Sequence, residues 1–506
     1  MSDFDLVVRN AHVATASDVF DCDIGIAGGR IIALAASLGP GEREVDAGGR
    51  WVLPGGVDGH CHLDQPTTDG SRMADDFHSG TVTAACGGTT TIIPFACQVK
   101  GRSLVAAVED YHRRAAGKAV VDYAFHLIVT DPTPEVLRRE LPELLARGYT
   151  SFKIYMTYDD LKLADEEIIS LLAVARQGGA MVMIHAENSD CIAWLSEQLL
   201  AAGNTAPRFH AASRPMLTER EATHRAITFG ELVDLPILIV HVSGREAVEQ
   251  IRWAQTRGLQ VYAETCPQYL FLTSDDLDAE GFEGAKCICS PPPRDKANQQ
   301  IIWDGLQSGV FQVFSSDHAP FLFDGPDGKR SAGINAPFNK IPNGIPGLET
   351  RLPLLFSEGV MKGRIDINTF VALTSTNVAK MYGLYPRKGT IAVGADADLV
   401  IWDDGVDIVI TNQMLHHNVD YTPYEGMTVT AWPKTTISRG EIVWDGSKPC
   451  GERGRGRFLT CGLPAPARPR GDHGHHANAV DLLHVRTGSE ACRQPGRLIA
   501  ARGDAS

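Results

Sequence analysis

Between Pro54 and Tyr385 the sequence repeats one rhythm, an apolar strand-like run, a loop and an amphipathic helix, and this repetition restricts the possible folds more than any other feature. The candidate strands are Val57 to His62, Thr89 to Ala96, Tyr123 to Val129, Ser151 to Met156, Met181 to Glu187, Pro236 to Ser243, Leu259 to Cys266 and Val310 to Asp317. The helices between them carry start and stop signals. Asp165 opens one whose Ile168, Leu171, Leu172 and Ala175 form a single stripe, and Gly178-Gly179 ends it. Ser243 to Glu246 reads as a capping box before Val248, Ile251 and Ala254 at helical spacing. Strand-helix units of this number, joined by right-handed crossovers, make a (β/α)8 barrel. A doubly wound open sheet is the alternative, but no Gly-x-Gly-x-x-Gly follows the first strand.

The two ends of the chain use a different vocabulary. From Asp5 to about Val52 short alternating runs such as Leu6-Val7-Val8, Ile24-Gly25-Ile26 and Ile31 to Leu34 are broken by turns, among them Ala27-Gly28-Gly29. Similar runs return at Gly389 to Val393, Asp398 to Trp402, Thr436 to Ser438 and Val443-Trp444. Neither end can bury a core alone, so the two are expected to pair into one small β-sandwich with the barrel as an insertion. The expected divisions are 1–53 and 386–460 for the sandwich, 54–385 for the barrel, and 461–506 for a Pro-, Arg- and His-rich tail expected to be disordered. His473, His475 and His476 in that tail are the kind of exposed tract that binds metal adventitiously if at all.

A formal charge of −15 argues against nucleic acid or an anionic membrane as the main partner. The 11 cysteines are scattered without a Cys-x-x-Cys, which points away from a disulfide framework or thiolate knuckle and towards a reducing cytoplasm. The N-terminus is acidic, and no apolar run reaches membrane-spanning length, so neither export nor a membrane span is expected.

The chemistry concentrates where barrel strands end, which is where such barrels place their working residues. Gly-Val-Asp-Gly-His-Cys-His ends the first strand, with His60 and His62 on one face and Cys61 on the other. Lys153 sits in the fourth strand, His185 in the fifth, His241 in the sixth, and Asp317-His318 at the end of the eighth. One buried histidine is ordinarily a hydrogen-bonded core residue; four, with a lysine and an aspartate, all at strand ends, form a metal-ligating pattern. Nitrogen and oxygen donors without thiolate suit a catalytic divalent metal, zinc first, with manganese or cobalt as alternatives. Lys153 lies between Phe152 and Ile154, where burial lowers its pKa and frees a neutral amine. Such an amine can take up carbon dioxide and become a carbamate, an oxygen ligand.

With these residues in view, the chain from about residue 5 to 460 resembles the D-hydantoinase and dihydropyrimidinase branch of the cyclic amidohydrolases. The motifs that carry the resemblance are Gly-His-Cys-His, Ser151 to Tyr158 (SFKIYMTY), Ile184 to Asn188 (IHAEN), Val240 to Ser243, Ala263 to Tyr269, Ser290 to Arg294 (SPPPR), Ser315 to His318 and Ile341 to Gly344 (IPNG). The resemblance implies two metal ions, one held by His60, His62 and Asp317, the other by His185 and His241, with carbamylated Lys153 and a hydroxide bridging them. It implies Asp317 as general base and then acid, Tyr158 as hydrogen-bond donor to the oxyanion, and Ser290 and Asn343 as partners of the cyclic amide edge. The implied reaction opens a hydantoin or dihydropyrimidine ring to an N-carbamoyl amino acid. The implied assembly is a homo-oligomer, a tetramer or a dimer.

Two departures from the family pattern stand out. Cys61 replaces a usual threonine and faces away from the metals. The loop Leu63 to Met73 is mostly polar where relatives carry bulky apolar residues. With Leu63, Gln65 and Tyr155 taken as lining the substituent pocket, and Asp64 beside them, a preference for small or polar substituents is expected. Allantoinase and dihydroorotase share the barrel and the metal chemistry, and Arg72 is a weak candidate for the carboxylate-binding arginine a dihydroorotase needs. A non-catalytic scaffold relative would lack the metal ligands, all of which are present.

Overall fold

The computed structural model describes residues 3–67, 70–469 and 471. Among them, parallel strands β1 (Gly56–Cys61), β2 (Thr89–Cys97), β3 (His126–Ile128), β4 (Ser151–Tyr155), β5 (Met181–His185), β6 (Ile237–Ile239), β7 (Val261–Thr265) and β8 (Val313–Phe314) pair in sequence order. This is the barrel order expected from the repeated strand-helix units. The ring closes between β8 and β1: His62 N–H donates to His318 O at 2.7 Å, and Ser316 Oγ donates to His60 O at 3.2 Å. Arg351, fully buried, clamps the seam by donating to Phe314 O at 2.8 Å while facing Asp58 at 3.6 Å. A buried charge of this kind persists only when its donors are occupied and a counter-ion is near.

Both chain ends join one mixed sheet, in the order Glu441–Trp444, Trp432–Ser438, Leu399–Asp403, Trp51–Pro54, Leu6–Ala14, Val19–Ala27, Arg30–Ala35, with Arg43–Asp46 added beside Leu6–Ala14. Leu399–Asp403 runs antiparallel to Trp51–Pro54, so the two termini meet mid-sheet. Leu6, Val8, Ile24 and Ile26 from one end share a single apolar cluster with Leu399, Ile401 and Ile437 from the other. The turn between Val19–Ala27 and Arg30–Ala35 is made by Gly28 and Gly29, both at positive φ (58° and 77°), the pair a type I′ hairpin needs.

Several elements differ from expectation. Gly389 to Val393 is not a strand: Gly389 and Gly394 bracket it at φ 84° and 95°, which breaks an extended ladder, although Ile391 still reaches the core. The expected third strand is interrupted after Asp122–Tyr123, because the backbone of Tyr123 bonds instead to Arg457 and Leu459 of the returning chain. The sixth and eighth strands are shorter than their apolar runs, since His241 (φ 40°) and Asp317 (φ 48°) leave the extended region. Ser243 is no helix cap; helix Arg245–Thr256 starts from Gly244, and the Ser243 hydroxyl is committed to Glu219. Of the tail expected to be disordered from 461, the described part is packed: Cys461 and Ala467 are buried with Met181 and Tyr382, and Cys461 N–H donates to Gly148 O at 3.0 Å. Its remainder, with His473, His475 and His476, lies outside the described residues. No helix among the described residues is long and apolar enough to cross a membrane.

Candidate active site and metal centre

At the C-terminal end of the barrel a cavity of about 750 Å³ opens, with His60, His62, His185, His241 and Asp317 in its walls. One ligand atom each from His60, His62 and Asp317 falls within a 4.8 Å group. Asp317 Oδ1 stands 3.2 Å from His60 Nε2 and 3.4 Å from His62 Nε2. Lys153 Nζ is 3.2 Å from the same His60 Nε2. The His185 and His241 rings lie 4.4 Å apart, and His241 lies 5.4 Å from His60, so the two histidine pairs face one space.

Each imidazole is aimed by what holds its other nitrogen. His60 Nδ1 is 2.7 Å from Glu264 Oε1, and His62 Nδ1 is 2.7 Å from Gln65 Oε1, which leaves both Nε2 atoms facing Asp317. His185 Nε2 meets Glu187 Oε2 at 2.7 Å, and Arg214 donates to that same oxygen at 2.7 Å. Carboxylate-histidine pairs of this kind fix the tautomer of a metal ligand. His241 Nδ1 is buried with no hydrogen-bond partner among the described residues, a state that costs free energy unless something else occupies the site.

Burial sets the protonation. It drives the His60, His185 and His241 imidazoles below their ordinary value, keeping them neutral and able to donate lone pairs. It lowers Lys153 to about 8, against the opposing pull of Glu264 and Asp317. For Asp317 burial works against the charge, but His60, His62 and Lys153 outweigh it and hold the carboxyl below its usual range. Burial likewise pushes Glu187 up, and Arg214 and His185 overcome it to hold it at about 2. The Tyr158 phenol is raised by burial, so it keeps its proton. These donors fit a pair of divalent cations: neutral imidazoles, an ionised carboxylate, a ring nitrogen without a hydrogen bond among the described residues and a buried amine lowered towards neutrality surround one space.

Tyr158, at φ 69°, turns its ring to 5.4 Å from His185, under the Arg214 guanidinium at 5.3 Å. Tyr158, His241 and Asp317 all occupy the left-handed region, a strain that clusters at functional sites. Ser290, Asn343, Gln65 and Tyr155 also line the cavity. Tyr155 stacks on His185 at 5.3 Å. Leu63 does not: its side chain is fully buried in the barrel core against Gly80, on the opposite side of the strand end. Asp64 also turns away, to Arg114 at 3.1 Å. The rest of the mouth is mixed, with Thr67, Ser71, Gln98 and Lys340 beside Met73, Val99 and Phe321.

Supporting residues were missed in the sequence. Glu187 and Glu264 are charges inside apolar runs, a signal that was present but attached to no role. Arg294 donates to Ser243 Oγ at 2.8 Å and to Glu219 Oε2 at 2.9 Å, beside the N-terminal end of helix Arg245–Thr256. Lys329 is fully buried, its ammonium lowered by burial to about 7, and donates to Ile288 O at 2.9 Å and Pro342 O at 2.7 Å. It thereby ties together the segments bearing Ser290 and Asn343, and no motif around it announces this.

Residues 51–443 match the family model described as the amidohydrolase family. A D-hydantoinase of Geobacillus stearothermophilus is 46% identical over 456 residues, covering 90% of this chain and 96% of the relative. A D-hydantoinase of Ralstonia pickettii is 43% identical over 456 residues, covering 90% and 98%. The crystal structure of a dihydropyrimidinase from Brevibacillus agri superposes with a TM-score of 0.88 at 44% identity, covering 91% of this chain and 99% of that one.

Proposed function

The chain belongs to the amidohydrolase family, in its D-hydantoinase and dihydropyrimidinase branch, and from that premise we propose how its cavity opens a ring and which rings it accepts. The protein is a hydrolase of cyclic amides, acting on hydantoin or dihydropyrimidine rings to give N-carbamoyl amino acids. Similarity of this extent to D-hydantoinases disfavours the allantoinase and scaffold readings.

The observation that carries the mechanism is the convergence of His60, His62 and Asp317 beside the buried Lys153, whose amine is hydrogen-bonded to a histidine nitrogen and to no carboxylate among the described residues. His60, His62 and Asp317 would hold one divalent cation and His185 and His241 the other, with Lys153, once carbamylated on its neutral amine, supplying a further oxygen donor; zinc is the first choice of metal, manganese or cobalt the others. When bound, the pair supplies Lewis acidity that activates water and polarises the scissile carbonyl. Asp317 takes the proton of the attacking water and delivers it to the departing ring nitrogen. Tyr158, kept protonated by burial, donates its phenol hydrogen to the oxygen on which charge develops. Ser290 and Asn343 orient the amide edge, held in register by Lys329.

Gln65, Thr67 and Tyr155 give the entrance polar groups, which supports a preference for small or polar substituents over large aromatic ones. The protein acts as a homo-oligomer, tetramer or dimer, in the cytoplasm, a reading that rests on the family resemblance and on cysteine usage. Asp317→Asn, assayed for turnover and metal content together, is expected to abolish ring opening with metal still bound. Persistent activity would overturn the proton shuttle. Comparing kcat/KM for phenylhydantoin and dihydrouracil tests the substituent reading, and a strong phenyl preference would sink it.

A further inference from the structure

Away from the catalytic cavity, three elements bring a thiol, an imidazole and a carboxylate to one point. Cys86 ends helix Phe77–Cys86 and is fully buried; Glu349 lies in the segment after β8, also buried; His416 lies in the excursion between Leu399–Asp403 and Trp432–Ser438, with its side chain 24% exposed. One ligand atom from each falls within a common 4.8 Å group. None of the three lines the catalytic cavity.

We propose that Cys86, Glu349 and His416 form a second metal site, distinct from the catalytic pair, for a thiophilic divalent cation such as zinc. The donor set suits the ion, since thiolate, imidazole and carboxylate are all zinc ligands and three protein donors leave a fourth position for water. Charge also balances: a thiolate, a carboxylate and a neutral imidazole around a divalent cation leave no net charge in the interior. Burial pushes both the Cys86 thiol and the Glu349 carboxyl up, and Glu349 has His416 as its counter-charge, with Oε1 2.9 Å from the ring Nδ1 and Oε2 accepting from the His416 backbone at 2.8 Å.

Cation binding releases two protons to solvent, that of the Cys86 thiol and the Nδ1 proton of the His416 imidazolium, and replaces the His416 to Glu349 hydrogen bond with two coordinate bonds. The exposed quarter of His416 is the entry path, and His416 packs edge-on against Trp444 at 5.2 Å, beside the loop that carries the exposed Cys450. The bound ion would pin the first barrel helix, the segment after β8 and the chain returning to the small sheet at one point.

The test is cobalt titration of the full-length protein already loaded at its catalytic centre. The catalytic donors are nitrogen and oxygen only, so a thiolate-to-cobalt charge-transfer band in the near ultraviolet, rising with a third equivalent, reports the second site alone. Cys86→Ser is expected to abolish the band. His416→Ala, at a position partly open to solvent and therefore able to fold, is expected to raise the cobalt concentration for half-saturation by at least about tenfold. Absence of the band, its survival in Cys86→Ser, or its loss only in Cys450→Ser would overturn the proposal.

Discussion

Lys153 and Lys388 are both buried lysines, and the protein treats them in opposite ways. Lys388 Nζ lies 2.7 Å from Asp122, 2.7 Å from Asp398 and 3.1 Å from Asp396, and although burial works against its charge these carboxylates raise it above the usual ammonium value. Lys153 has one hydrogen-bond partner among the described residues, a histidine nitrogen, and burial lowers it to about 8. The lesson is that burial alone does not decide what an amine becomes; the number of carboxylates it meets does. Lys388 is a cationic clamp joining Asp122 on the barrel to Asp398 at the small sheet, whereas Lys153 is left available for chemistry.

Replacing each lysine by methionine breaks the comparison most directly. Lys153→Met is expected to cut kcat by on the order of a thousandfold or more, several kcal/mol of barrier, with the loss of bound metal, while leaving the metal-free protein at least as resistant to urea. Lys388→Met should do the reverse. It takes their shared cation from three buried carboxylates, leaving Asp122 with Arg439 and Asp396 with Arg387 but Asp398 with no ion-pair partner among the described residues, and should cost roughly 3–5 kcal/mol of unfolding free energy, with kcat of the folded fraction changed by less than about twofold. Urea titration and metal analysis of the two variants separate the outcomes. A stable, inactive Lys388→Met would show that the clamp is part of the site after all.

A smaller effect probes the other buried proton donor. Tyr158→Phe keeps the ring that faces His185 and loses only the hydroxyl, so it should lower kcat by about 10²–10³-fold with KM little changed. A rise in KM at constant kcat would assign Tyr158 to substrate binding instead.

The contrast between the lysines was only half legible in the sequence. Lys153 could be read because a charge inside Phe-Lys-Ile contradicts its surroundings. Lys388 follows Pro386-Arg387 and precedes Gly389, a setting that looks like a surface turn, and its partners lie 266, 10 and 8 residues away in the chain. The candidate metal-ligating residues that converge on the cavity were readable for the same reason as Lys153: polar residues interrupt strand-like runs at strand ends. Leu63 was misplaced because alternation tells which face a residue takes within a strand, not which way the chain turns once the strand ends at Cys61. Lys329 was invisible because what it holds, two carbonyl oxygens from separate loops, leaves no trace in side-chain pattern. The small sheet was readable as a pairing of both ends, but the loss of Gly389 to Val393 from it depends on two left-handed glycines whose sign of φ the sequence does not carry.

The smallest expected effect sharpens the comparison at the level of protons. If Lys153 is carbamylated, the reaction joins its neutral amine to carbon dioxide, forming an N–C bond and releasing one proton. Because the folded amine titrates near 8, its reactive fraction should fall about tenfold for each pH unit below that value and level off above it. Recovery of activity by metal-stripped protein given zinc and bicarbonate should therefore be about tenfold slower at pH 7 than on the plateau, measured at constant dissolved carbon dioxide. The direction is fixed by the sign of the shift: a lysine at its ordinary value near 10.5 would still be climbing steeply at pH 9. Lys388, raised rather than lowered, stays cationic throughout this range and adds no step of its own. Recovery that ignores bicarbonate, or that is flat between pH 6 and 9, would mean that Lys153 serves the site as an amine or a cation, and that the two lysines differ less than their surroundings indicate.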